Sequence, residues 1–158
     1  MSLRVTAVLL TCASLLMGCA HGNLPGTTIP ATDDNRAIYD VLVAFRTALE
    51  NRDSAALTAL VSKKYFEDNG TVDAADDYGY EELATKVLPQ SLAATKEMYV
   101  TIEIHDIVVR GDSATADIRY ASRARLDLPA GTLWDSHREF NRVEFEREAG
   151  HFMIVKGL

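Results

Sequence analysis

Cysteine is nearly missing from this chain: its 158 residues hold two, Cys12 and Cys19, and none follows position 19. Beyond that point the chain can form no disulfide, no thiolate metal centre and no cysteine nucleophile. Basic residues are also in deficit, with 16 Lys and Arg against 23 Asp and Glu for a formal charge of −7. That balance argues against a nucleic-acid partner, because phosphate binding relies on clustered Lys and Arg. H-E-x-x-H, G-x-S-x-G, P-loop and G-x-G-x-x-G motifs are all absent, which removes the commonest sequence signals for metalloprotease, hydrolase and nucleotide sites. His105, His137 and His151 fall on three separate segments, a scatter that predicts surface strand positions and no metal centre.

The N-terminus is where the sequence is most explicit. MSLRVTAVLLTCASLLMGCAHG carries one cation, Arg4, then an uncharged apolar run from Val5 to Met17. The run is short of the roughly 20 residues a spanning helix needs and has the organisation of a secretory signal peptide. Leu16-Met17-Gly18-Cys19 resembles the lipobox of bacterial lipoproteins, in which cleavage precedes a Cys that becomes lipidated. The resemblance implies a signal peptide over 1–18, a lipidated Cys19 and attachment to a membrane through that residue. Acyl chains at about 0.8 kcal/mol per buried CH₂ would make the anchor nearly permanent. Ala20 stands where lipoproteins retained at the inner membrane typically carry Asp, so the implied location is the cell envelope, at the periplasmic face of the outer membrane.

AHGNLPGTTIPAT follows, uncharged apart from its histidine and rich in Gly, Pro and Thr. It reads as the rest of a flexible tether over 19–34, able to reach ~45 Å when extended. Residues 35–158 are one domain's worth of chain. Ile38, Val41, Leu42, Phe45, Ala48 and Leu49 mark one face of a helix, with Asp33, Asp34 or Asn35 as cap. Asp53 or Ser54 caps a short helix burying Leu57, Leu60 and Val61. A third helix starts near Gly79 with Leu83, Val87, Leu88 and Leu92 inward, and Pro89 should kink or break it. Strand patterns fill the second half. MYVTIEIHDIVV changes phase near His105-Asp106, which predicts a β-bulge. SATADIRYASRARLDL puts Tyr120 with the apolar residues and Arg119, Arg123 and Arg125 on the opposite face. HREFNRVEFERE and HFMIVKGL form a hairpin across Ala149-Gly150. Helices followed by an antiparallel sheet predict an α+β domain.

AFRTALENRDSAALTALVSKKYFED resembles the opening of nuclear-transport-factor-2-like domains, the cone fold shared with ketosteroid-isomerase-like and SnoaL-like proteins. REFNRVEFEREAGHFMIVKGL resembles that family's last hairpin. The resemblance implies about three helices packed on a curved antiparallel sheet, with a cone that often holds an apolar pocket. Members of this fold catalyse, bind or dimerise through the sheet, and fold alone does not choose among these.

Two readings remain open. The first is a non-catalytic ligand-binding or protein-interaction module. The second is a small pocket enzyme of isomerase, cyclase or hydrolase type. Ketosteroid isomerase pairs an Asp base with a Tyr and a protonated Asp as oxyanion donors. Asp68, in Glu67-Asp68 after the second helix, matches the base and is the candidate catalytic residue, with Tyr120 the other well-placed polar group. The Tyr position falls on Phe45 and the acid falls near Asn141 and Arg142, so the oxyanion donors do not match. Tyr39, Phe45, Tyr120 and Trp134 are the candidate ligand-binding residues. No metal site and no cofactor is implied by a motif, although seven carboxylates and no Lys or Arg between residues 65 and 85 leave an irregular calcium site open. The arginine-lined sheet face, interleaved with Glu, reads either as solvated cross-strand pairs or as the surface of a homodimer.

Overall fold

A computed structural model describes residues 22–158; the expected signal peptide and Cys19 lie outside the described residues. Helix α1 (Asp33–Asn51) buries Ile38, Leu42, Phe45, Ala48 and Leu49, the stripe that its 3.6-residue period dictates. Its cap is one residue earlier than the sequence suggests: the Thr32 hydroxyl accepts from Asn35 N–H at 3.2 Å, leaving Asp33 and Asp34 in the first turn, where the helix dipole favours acids. Helix α2 (Ser54–Ala59) is capped by Asp53, which accepts from Ala56 N–H at 2.9 Å. A two-residue ladder, β1 (Phe66–Glu67) with β2 (Tyr78–Gly79), then frames the acidic loop.

The third helical stretch departs from expectation. Pro89 does not break it. Helix α3 (Tyr80–Glu82), a π-helical segment (Leu83–Val87) and α4 (Leu88–Ala93) follow one another without interruption. Leu88 N–H donates to Leu83 O, five residues back. This wider turn places Pro89 at the start of α4, where no N–H is required and its ring meets no tight preceding turn.

Four antiparallel strands complete the fold in the order β3 (Thr95–Arg110), β4 (Ser113–Leu128), β5 (Gly131–Glu148) and β6 (His151–Lys156). The register of β3 shifts between Ile104 and Asp106, so the predicted bulge is present. Ala114, Ala116 and Ile118 of β4 and Val143 and Phe145 of β5 are buried under the helices. The other face of these strands points outward. Edge strand β6 is covered where α2 ends, through Ser62 N–H to Ile154 O and Ile154 N–H to Leu60 O, both 2.9 Å. Covering an edge in this way removes a template for unwanted strand pairing.

Residues 22–32 also correct the sequence reading. They are no flexible tether: Asn23 bridges Pro30, Leu24 N–H donates to Ile29 O at 2.8 Å, and Leu24, Ile29 and Ala31 are buried in the core. Three apolar side chains among the Gly, Pro and Thr residues are enough to dock the segment, and its turn is closed at Gly26, with φ of 73°, a conformation glycine adopts without steric cost.

Candidate functional site

Between the helices and the inner sheet face lies a cavity of about 250 Å³. Its walls are apolar, drawn from α1 (Leu42, Phe45), α2 (Leu57), the π-helical segment (Leu83) and the sheet (Ile118, Val143). A 150 Å³ cavity holds benzene, so this one has room for roughly ten non-hydrogen atoms by the same ratio. Among the described residues no Lys or Arg lines it.

The polar part of the lining comes from a strand whose sequence looks wholly charged. Buried Val143 and Phe145 fix the parity of β5, and alternation carries Asn141, Glu139 and His137 to the same inner side. Asn141 and Glu139 line the cavity, as does Tyr120, the register partner of Glu139 on β4. Asn141 Nδ2 donates to Glu139 Oε1 at 2.8 Å, and His137 Nε2 lies 3.0 Å from Oε2. Oε1 is thus held by one donor, and the carboxylate keeps further acceptor capacity for a ligand. Burial pushes the Tyr120 phenol above its ordinary pKa, the nearby Glu139 charge adds to the effect, and Ser122 partly offsets it. Tyr120 is therefore a neutral hydrogen-bond donor at physiological pH.

The residues singled out from sequence disperse. Phe45 and Tyr120 meet in the cavity. Tyr39 lines a separate groove between α1 and β3. Trp134 is on the outer sheet face, stacked on Tyr99 at 6.3 Å and beneath the Arg123 guanidinium at 4.4 Å. Asp68 does not line the cavity. Its Oδ2 accepts from Lys156 Nζ at 2.7 Å and its Oδ1 from Gly70 N–H at 3.0 Å. The lysine above all, then the Gly70 amide, holds its pKa below the usual carboxylate value, which makes it a weak base. Its neighbour Glu67 is buried and accepts from Tyr65 Oη at 3.1 Å and Gly157 N–H at 2.8 Å, tying the end of β6 to the β1–β2 ladder. Burial, with the Glu67 charge among the lesser causes, raises the pKa of Tyr65.

The rest of the acidic stretch shapes its own loop. Asp73 Oδ1 accepts from Ala75 N–H at 3.0 Å, and Asp76 accepts from the Thr71 hydroxyl at 2.9 Å, the local hydrogen bonding by which Asp favours turns. Among the described residues no group of three or more His, Asp or Glu side chains converges as metal ligands. Outward charges pair across strands as cross-strand neighbours do: Glu103 with Arg119, Glu97 with Arg125 and Asp117 with Arg142. Arg147 is not on that face. It bonds Asp34 of α1 at 2.7 Å and lies over the Phe152 ring.

No protein-family model matches the sequence, and no curated protein matches it. Solved structures do match the fold. The chain is similar to a conserved protein from Planctomyces limnophilus, with TM-score 0.67, 16% identity, and coverage of 79% of this chain and 93% of that one. It is similar to a ketosteroid isomerase-like protein from Erwinia carotovora atroseptica, with TM-score 0.61, 19% identity and coverage of 80% and 94%. It is also similar to a nuclear transport factor 2-like superfamily protein from Salmonella enterica serovar Typhimurium, with TM-score 0.61, 12% identity and coverage of 80% and 90%. At these identities the likeness establishes the nuclear-transport-factor-2-like α+β fold.

Proposed function

We propose that this cone-fold domain is the ligand-binding part of a lipoprotein, taking a small, neutral, largely apolar molecule that donates a hydrogen bond to Glu139. The observation that carries the reading is the lining of the cavity: apolar walls, one carboxylate oriented by Asn141, and no Lys or Arg among the described residues. An anionic ligand would sit beside Glu139 with no compensating charge, a costly arrangement in an apolar site. Leu16-Met17-Gly18-Cys19 supports lipid anchoring at Cys19, with the outer membrane's periplasmic face as its location.

Titration with 2-naphthol, followed by calorimetry, tests the reading. A hydrogen bond to a charged acceptor contributes about 1.5–3 kcal/mol, so Glu139→Gln weakens binding at least about tenfold. Val143→Phe fills the cavity and abolishes binding. Equal affinity for 2-naphthoate, or no effect of Val143→Phe, would refute it.

A second reading has its own support in the register pairing of Tyr120 with Glu139. A carboxylate base facing a phenol donor can remove a proton α to a carbonyl while the phenol stabilises the oxyanion. This is an isomerase-type activity with Glu139, in place of Asp68, as base. Deuterium exchange at the α-carbon of 2-tetralone, read by NMR and lost in both Glu139→Gln and Tyr120→Phe, would establish it. Exchange at the buffer rate retires it.

The outer sheet face supports a homodimer. Tyr99, Trp134 and Phe140 are exposed there among alternating Arg and Glu or Asp residues, a pattern complementary to a second copy of itself.

A further inference from the structure

We propose a second binding site, separate from the cone cavity, that takes an oxyanion carrying an apolar chain, with Arg46 as its anion contact. The site is a groove of about 690 Å³ between α1 and strand β3, walled by the Pro25–Thr28 turn. Arg46 Nε is buried and has no hydrogen-bond partner among the described residues. A buried guanidinium N–H without an acceptor is costly to maintain and calls for an explanation. The carboxylate that shares the groove, Glu103, is already engaged by Arg119. Arg46 therefore lines the groove with its Nε–H lacking an acceptor among the described residues.

The other groups of the groove fit the same ligand. Val100 N–H donates to Glu50 Oε1 at 3.0 Å, so it points away from β4. β3 is an edge strand. In an antiparallel ladder residues two apart share that direction, so Ile102 and Ile104 also turn their N–H groups to the free edge, inside the groove. Tyr39 adds an aromatic wall and a hydroxyl, and Leu42 and Val43 supply an apolar floor. A guanidinium fork suits a carboxylate or phosphate bidentately, and the floor suits an alkyl chain.

Three probes test this: inorganic phosphate, octyl phosphate, and vesicles of phosphatidylglycerol. Octyl phosphate should bind the purified protein at least tenfold more tightly than inorganic phosphate and should shift the Arg46 Nε–H resonance. Arg46→Gln should lower that affinity at least tenfold, and Arg46→Lys less, since it keeps charge without the fork. Val143→Phe, which fills the cone, should leave octyl phosphate binding unchanged. The proposal fails if octyl phosphate does not bind, if inorganic phosphate binds as tightly, if Arg46 Nε–H does not move, or if Val143→Phe abolishes binding. Arg46-dependent sedimentation with the vesicles identifies a bilayer headgroup as the source, and binding of monomeric octyl phosphate alone identifies a free amphiphile. Both support the site. Its failure would leave the 2-naphthol result for the cone standing.

Discussion

Gly157 offers the sharpest test of how the cone is closed. Its φ is 90°, and a Cβ built there would lie 2.2 Å from Arg142 O, 3.0 Å from Arg142 C and 3.1 Å from Val143 Cα. All three are backbone atoms of β5, so no side chain can rotate away to make room. Gly157→Ala must shift residues 157 and 158 off the sheet. The left-handed backbone alone costs about 1–2 kcal/mol for a residue with a Cβ. The shift also breaks the 2.8 Å bond from Gly157 N–H to buried Glu67, and Leu158 N–H to Tyr65 Oη at 3.3 Å. A hydrogen bond to a charged group contributes about 1.5–3 kcal/mol. The combined loss is about 3–5 kcal/mol, or a fall in Tm of roughly 10–20 °C for a domain of this size. Urea unfolding and thermal circular dichroism measure it. A cycle with Tyr65→Phe adds a check: once the chain end has moved, Tyr65 has lost one partner, so the double variant should lose less than the sum. Destabilisation below about 1 kcal/mol, less than a hydrogen bond to a charged acceptor contributes, would show that the contact with Arg142 does not constrain the chain and would refute the reasoning.

Leu24→Ala should destabilise the protein by about 2–5 kcal/mol in urea melts, the range for a buried Leu; a flexible segment would give no change. Asp117 is held below the usual carboxylate range first by its hydrogen bonds from Arg142 and also by that charge. Its contribution is present above the unfolded value near pH ~4 and is lost as pH falls through the lower folded value. The Tm gap between wild type and Asp117→Asn should therefore be present at neutral pH and close in acid; a gap that widens in acid would contradict the pairing. Phe140→Glu places a charge on the exposed outer face and should shift a sheet-mediated dimer to monomer in sedimentation equilibrium, leaving Tm of the monomer unchanged. Under the proposed lipid anchoring, Cys19→Ser should abolish incorporation of labelled palmitate; undiminished labelling would refute lipidation at Cys19.

Periodicity made most of the scaffold legible. The α1 stripe, the Asp53 cap and the bulge near Asp106 are local patterns, and each follows from residues a few positions apart. Pro89 misled because its effect depends on the turn before it, and a π-helical turn at Leu83–Val87 has no strong sequence signal. The cavity's carboxylate was legible in principle. Stepping back by two from Val143 along HREFNRV reaches Asn141, Glu139 and His137, but the density of charge in that strand disguised its inner face as solvated surface. Asp68 misled for the opposite reason. Its position after α2 matches a precedent, whereas its chemistry is set by Lys156, 88 residues away, and no spacing rule reports a partner at that range.

The fold of residues 22–32 also changes what an anchor at Cys19 would do. A tether running to residue 34 would let the domain swing ~45 Å from the bilayer. With Leu24 buried and Asn23 bridged to Pro30, the docked segment begins three residues after Cys19, a span of at most about 10 Å of chain. An anchor at Cys19 would then hold the turn at Pro25–Thr28 beside the lipid surface, and with it the groove that it walls. Arg46 faces that groove without a partner, on a chain whose net charge of −7 would otherwise be repelled by anionic headgroups. Under the proposed anchoring, a span that short would limit the domain's reach and bring the unpartnered Arg46 Nε close to the membrane. The cone cavity shares only Leu42 with the groove, so a ligand could occupy it while the groove is engaged.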